Sequence, residues 1–439
     1  MKKSVTTLMV VSLTGNIFPL LNILAISSLF PLFLASREAS APGITPYGPV
    51  RARFYLLLAC SYWLLSYVAT GAPLDNLFSF EFLRYDGAPL IAYLPLLLLT
   101  DFRLEPAFVR RTIGLFLTIL SAVALLGLAE FVDASVLPLG LSALPEPFQL
   151  IHNGPLATDI FHGFFQAHNA AGAIYAMATL LAFALLVLGN DSSLLSLRAF
   201  WLGCNFIGLV LTQSRTAYVA FLITLLLVFF RSRKVLWKAL KFGFFILAPL
   251  LCFLLVQPAV NHRTETVSNL EDPNVVIRFL YYQRAWNDFI QSPIVGTGFG
   301  RFNDELKVYS GIPHLVYFVT SATVVNDPSH AHNSYLHFLA EGGVLGAGLM
   351  LAVWISALRW VSLKKKIFAE GSFGCCLAQA LQACIVLQFL MSMTEHMMGT
   401  AVSSLTIFTL LGLFLNLVGW KYRVASLVAS LRPVAEAQA

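Results

Sequence analysis

The chain has 439 residues, 58% of them hydrophobic and 11% charged, with 28 Lys and Arg against 22 Asp and Glu for a net charge of +6. A soluble domain carries roughly 25% charged residues, so soluble globular, disordered, collagen-like and disulfide-scaffold classes are excluded. A polytopic helical membrane protein remains, in which the positive balance reflects orientation in the bilayer and not nucleic-acid binding.

Apolar runs fall at 8–34, 54–72, 89–100, 112–131, 170–188, 199–212, 217–230, 242–256, 334–358, 375–393 and 402–420. The first is read as crossing twice, broken near Gly15, Asn16 and Pro19, which gives about twelve helices. Eleven helices with an external N-terminus is the alternative. With so many further runs and no clear cleavage site, the first is expected to be a retained anchor and not a signal peptide. Cys60, Cys204, Cys252, Cys375, Cys376 and Cys384 lie in or beside these runs, without metal-ligand spacing, and read as buried packing residues.

Basic residues decide sidedness. A cytoplasmic N-terminus with Lys2 and Lys3 puts the clusters around Arg37, Arg103, Arg110, Arg198, Arg231, Lys364 and Lys421 on the same side. Seven of the 28 basic residues remain outside: Arg84, Arg215, Arg263, Arg278, Arg284, Arg301 and Lys307. The expected organisation is therefore all-α. Residues 1–256 form transmembrane helices with an outward loop at 133–169. Residues 257–332 form a large periplasmic loop region containing amphipathic helices, and 333–439 hold the last helices and a cytoplasmic tail.

Three outward features carry chemistry. Gln213-Ser214-Arg215-Thr216 is a polar break between two apolar runs, and it sets Arg215 at the membrane surface, where a charge needs a partner or a function. In 275–302 the first half has helical periodicity that stops before Pro293, with Arg278, Tyr282, Ala285 and Phe289 on one face and Tyr281, Arg284 and Asp288 on a neighbouring one. Gly296, Gly298 and Gly300 then form a loop whose backbone can pack closely; with no strand before it, a nucleotide-binding loop is rejected. The third feature is His330-Ala331-His332-Asn333-Ser334, leading into Glu341-Gly342-Gly343. A boundary histidine either caps a helix or accepts a proton near neutral pH. His330 and His332 have zinc-like proximity, but no third ligand of suitable spacing is visible. His162, His168, His314 and His396 are also outward. Arginines that hold phosphate oxygens, beside a histidine that deprotonates a hydroxyl, suit attack on a phosphate-activated, lipid-tailed substrate.

S-R-T-A at 214–217, R-x-x-x-Y…P-x-x-G-x-G-x-G-x-F from Arg278 to Phe302, and H-x-H-N-S-Y-L…E-G-G-x-x-G from His330 to Gly346 together resemble the O-antigen ligase and polymerase superfamily, the Wzy_C type. The resemblance implies a multi-pass glycosyltransferase of the Gram-negative inner membrane, active at the periplasmic face in lipopolysaccharide biosynthesis. The donor would be a glycan on undecaprenyl pyrophosphate, with membrane lipid as its surroundings and no metal, nucleotide sugar or other cofactor. By position, Arg215 and Arg278 would contact the pyrophosphate and His332 would be the general base, with His330 the alternative base. Arg284, His330, Asn333, Tyr282 and Arg301 would complete the substrate site, although the family often has Trp where this chain has Tyr282. The histidine-centred motif leans to the ligase, whose acceptor is lipid A–core, over the polymerase. The family's protein O-oligosaccharyltransferases usually carry a longer external C-terminal part, which is not expected here. Rivals from other classes are a lipid-glycan flippase or transporter, which would place polar residues at the bilayer midplane, and a polytopic peptidoglycan polymerase using a carboxylate. Gln379, Gln382 and Gln388 are read as interhelical hydrogen-bond glue.

Overall fold

A computed structural model describes residues 2–14, 50–69, 96, 99, 104–135, 151–153, 159–165, 167–230, 273–302, 330–399 and 401–438. These are almost wholly helical: α1 (Lys2–Ser12), α2 (Val50–Ala69), α3 (Pro106–Ser135), α4 (His168–Val187), α5 (Leu195–Leu211), α6 (Arg215–Thr224, continued by a π-helical turn Leu225–Phe229), α7 (Pro273–Gln291), α8 (Ser334–Lys365), α9 (Phe373–Met391) and α10 (Ala401–Gln438). A two-stranded antiparallel ribbon, β1 (Ile151–Asn153) with β2 (Asp159–Phe161), lies in the segment read as an outward loop.

Six helices among the described residues are long and apolar enough to cross a membrane: Pro106–Phe131, His168–Val187, Ser192–Leu211, Ser334–Lys365, Phe373–Met391 and Ser403–Ala425. Leu57–Ala69 and Arg215–Phe229 are shorter apolar helices. The expected total of twelve rests further on the runs 8–34, 89–100 and 242–256, which lie wholly or largely outside the described residues, as does Cys252. The other five cysteines are free, and all but Cys60 are buried.

Helix α4 is the centre of the bundle. Every residue from Ala171 to Val187 is buried, as expected of a helix apolar all round. Its alanines and Gly172 let α5, α6, α9 and α10 approach closely. Polar side chains inside the bundle bridge elements. The Asn205 amide donates to Ser121 Oγ at 2.9 Å, and Gln388 Nε2 donates to the Met397 carbonyl at 2.6 Å. Gln382 reaches Ser362 Oγ at 2.6 Å and Gln379 reaches the Val228 carbonyl at 3.0 Å. All three glutamines thus bond across elements.

The helices alternate in direction, so their ends form two distinct poles. Arg110, Arg111, Arg198, Lys364, Lys365, Lys366 and Lys421 sit at the pole where α3, α5 and α9 begin. The opposite pole gathers the starts of α4, α6 and α8 and the connection from α9 to α10.

Helix α7 ends at Gln291, two residues before Pro293, and the chain that follows is sewn into a gap in α8. Gly343 has φ 58° and ψ −163°, which breaks α8. The freed N–H groups of Val344 and Leu345 donate to the carbonyls of Pro293 (2.9 Å) and Ile294 (3.2 Å). In return, Thr297 and Gly298 donate to the carbonyls of Ala340 (2.9 Å) and Glu341 (3.0 Å). Tyr62 Oη adds a donor to the Gly342 carbonyl at 2.7 Å. A broken helix within an apolar layer is tolerated only when its backbone groups find such partners. The approach needs glycine on both sides: a Cβ on Gly296 would lie 2.2 Å from the Glu341 backbone, and one on Gly343 2.4 Å from Ile294.

Gly343→Ala is therefore expected to lower stability by about 1–3 kcal/mol through backbone strain, plus the cost of parting the two chains. Gly348→Ala, with open space at its Cβ, is expected to be near neutral. Thermal unfolding of the two purified variants in the same detergent checks the contrast.

Candidate functional site

At the pole opposite the basic cluster, the connection from α9 to α10 carries Glu395, whose side chain is only 5% exposed. A buried carboxylate must be paired, and three elements supply its partners. Arg278 Nη2 from α7 donates to Oε1 at 2.5 Å, and Asn169 Nδ2 from the first turn of α4 donates to the same oxygen at 2.8 Å. His332 Nδ1, just before α8, lies 3.1 Å from Oε2. Asn169 Oδ1 in turn accepts from Ser214 Oγ at 2.7 Å, and Thr394 Oγ1 donates to Thr216 Oγ1 at 3.2 Å. Arg215 itself is exposed at the first position of α6, flanked by Ser214, which fastens this helix to α4, and Thr216, which fastens it to the Glu395 connection.

Local sequence explains each placement. Ser214 caps α6, its Oγ accepting from the Ala217 N–H, and Asn333 caps α8, its Oδ1 accepting from the Tyr335 and Leu336 N–H groups. The residue before each cap, Gln213 (φ 50°) and His332 (φ 47°), takes the left-handed conformation, and these are the only such non-glycine residues among those described. The turn at His332 points its ring back toward Glu395. Tyr281 stacks on that ring at 5.8 Å with an 18° interplanar angle, and Tyr282 Oη donates to the His332 carbonyl at 3.3 Å. Burial, helped by Glu395 and opposed by Arg278, pushes the Tyr282 phenol up, so it remains a donor.

A Nδ1–H donated to Glu395 fixes the His332 tautomer and leaves Nε2 as the basic nitrogen. Arg278 is one-third exposed and His332 slightly less. One buried carboxylate therefore orients a cation and a base that both reach the surface.

Of the other residues singled out in the sequence, His330 and Asn333 adjoin this cluster, whereas Arg284 and Arg301 belong to the end of α7 and the glycine loop around Phe302. The His330 ring lies 4.5 Å from that of His332. The Asn333 amide is committed to its cap and to the Met393 carbonyl at 2.9 Å. Arg284 is buried, 4.7 Å above the Phe302 ring, with Nε 3.8 Å from Asp288 Oδ2. Arg301 is half-buried in the glycine loop, beside Phe302, whose N–H donates to Glu341 Oε1 at 3.2 Å. His314 lies outside the described residues.

Two features were not visible in the sequence. The first is Glu395, whose signal is a lone carboxylate in a short polar break. It corrects the expectation that His330 and His332 lack a third ligand: the three residues bring one ligand atom each within 4.8 Å of one another. A metal ion there would compete with a guanidinium and an amide for Oε1. The second is the packing of a buried layer behind the site. The i,i+4 spacing of His337 and Glu341 is legible in the sequence, and His337 Nε2 lies 3.3 Å from Glu341 Oε2. Not legible is that the His337 ring packs 4.0 Å from that of His396, itself buried and 5.4 Å from His330. Burial, then His337, His330 and His332, hold His396 neutral by lowering its pKa well below 6.5.

This geometry joins all three sequence motifs. Residues 199–351 match the family model Wzy_C, O-antigen ligase. The match runs from α5 through the break in α8 and contains Arg215, Arg278 and His332. It is consistent with a member of an O-antigen ligase-type superfamily, and with the membrane-spanning helices it supports a membrane enzyme of that broad kind. Glu395 lies beyond the matched segment. No curated protein matches the chain.

The neutral His396 has a stability consequence. The unfolded chain takes up its proton near pH 6.5, whereas the folded chain resists it. Its contribution is therefore fully present above about pH 6.5 and is lost as the pH falls below that value. The melting temperature is expected to drop between about pH 6.5 and pH 5, and the drop is expected to be shallower in His396→Leu, read as the slope of melting temperature against pH.

Proposed function

We propose that the chain is an O-antigen ligase. It transfers a glycan from undecaprenyl pyrophosphate to a sugar hydroxyl of lipid A–core, at the periplasmic face of a Gram-negative inner membrane. The observation that carries this reading is the single carboxylate of Glu395 shared by Arg278 and His332. It sets a phosphate-binding cation beside a tautomer-fixed base. The gathering of basic side chains at the opposite pole supports the orientation, because that pole would face the cytoplasm. The segments 1–256, 257–332 and 333–439 then serve as membrane scaffold, outward cover and closing helices.

In this mechanism the prenyl tail lies among the helices. A guanidinium offers five donors; Glu395 engages one nitrogen of Arg278, and the pyrophosphate takes others, with Arg215 binding from the start of α6. His332 Nε2 removes the proton of the acceptor hydroxyl. The oxygen attacks the anomeric carbon, the bond from that carbon to the pyrophosphate oxygen breaks with inversion, and the arginines hold the charge that develops on the leaving group. Arg284, Arg301, Tyr282, His330 and Asn333 shape the surrounding site. No metal ion or nucleotide is called for.

Purified protein given lipid-linked glycan and lipid A–core is expected to glycosylate the core, and His332→Ala is expected to abolish transfer. Arg278→Ala is expected to lose about 2–4 kcal/mol of transition-state stabilisation, a rate loss of roughly 30- to 900-fold. Lengthening of the donor glycan with the core left unmodified would make the protein a polymerase. Donor binding with no transfer at all would point to a transporter.

A further inference from the structure

The pole opposite Glu395 holds a cavity of about 480 Å3 between the start of α3, the start of α9 and the middle of α10. Among the described residues its lining includes three cations, Arg110, Arg111 and Lys421, and no carboxylate. Ser372, the N-cap of α9, and the first residues of that helix also line it, so the positive end of a 19-residue helix opens into the same space. Arg110 packs over the Phe373 ring at 5.3 Å. It also lies 3.7 Å from Asp191, but that carboxylate stands outside the cavity lining, accepts from Ser193 and is 3.5 Å from Arg198. The cavity therefore keeps a net positive lining.

Its level in the bundle says what kind of anion it meets. The spans Pro106–Phe131 and Phe373–Met391 both begin at its wall, so it sits where hydrocarbon gives way to headgroups. Trp420, 38% exposed, forms part of the wall, and tryptophan is enriched at that boundary. Arg111 lies one turn from Leu115, an exposed apolar side chain on the same face of α3. A molecule with its phosphate at the cations therefore finds an apolar surface for its tail on the neighbouring turn. Basic pockets between spans are suited to anionic headgroups, each cation adding roughly 1 kcal/mol near a charged surface.

We propose that this cavity binds the phosphodiester headgroup of an anionic phospholipid, with Arg110, Arg111 and Lys421 holding the phosphate and the acyl chains lying along α3 past Leu115. The site is separate from the Glu395 cluster. It lies at the other end of α9, whose 19 residues span roughly 28 Å at about 1.5 Å per residue.

The full chain, reconstituted in bilayers, tests this through Trp420. Brominated phosphatidylglycerol is expected to quench the fluorescence of wild-type protein more than brominated phosphatidylcholine at the same mole fraction, and the excess is expected to vanish in Trp420→Phe. In Arg111→Gln/Lys421→Gln, whose two sites are exposed and outside the packed core, the excess is expected to fall by roughly thirty-fold while the melting temperature stays put. Equal quenching by the two lipids, or a phosphatidylglycerol preference kept in the double variant, would overturn the proposal. In detergent, short-chain phosphatidylglycerol is expected to raise the melting temperature where inorganic phosphate at equal concentration does not. An equal rise with inorganic phosphate would reassign the cavity to a soluble anion and overturn the lipid.

Discussion

The carboxylate of Glu395 is the constraint from which the candidate site takes its shape. A charge buried to 5% exposure survives only if donors converge on it, and here the donors come from α4, α7 and the turn before α8. Through Asn169 and Ser214 the same requirement reaches the start of α6. The starts of α4, α6 and α8 and the body of α7 are thus brought to one point by an electrostatic need and not by apolar packing, which is indifferent to the rotation of a helix in lipid. That supplies the register a polytopic bundle otherwise lacks. The residues facing outward from this point are a guanidinium and an imidazole whose orientations are already fixed before any substrate arrives.

The second device is the backbone splice between the loop after α7 and the break in α8. The glycines of 296–300 and of 342–343 belong together because each set makes room for the other's backbone. The splice places Glu341 over the His337–His396 pair and hands its Oε1 to the Phe302 N–H. The amphipathic helix α7 is thereby fastened at its C-terminal end through the loop and within its length through Arg278. His332 and Arg278 consequently hold their spacing although they come from different segments of the chain.

Much of this was legible from residue order alone. Hydropathy located the apolar helices among the described residues, because a span needs a long uninterrupted apolar run whatever its neighbours are. Pro293 announced the end of α7, since proline excludes the helical conformation of the residue before it. Arg215, Arg278 and His332 drew attention as polar chemistry at the edges of apolar runs, and the fold gathers their segments at one pole. Glu395 did not, because its meaning lies in contacts with residues 117, 63 and 226 positions away. Local pattern carries no trace of such pairing. The glycine loop was legible as a place of close backbone approach, but the partner it approaches was not.

The left-handed turn at His332 has an evolutionary corollary. A side chain with a Cβ costs about 1–2 kcal/mol in that conformation, and glycine removes the cost. Glycine at position 332 would also remove the ring that meets Glu395 Oε2 and stacks on Tyr281, leaving a buried carboxylate oxygen short of a donor. The strain of the turn is therefore offset by the contacts of the imidazole. Where this position varies, the residues expected are those that tolerate the turn and still carry a side-chain donor, histidine and asparagine, and not glycine.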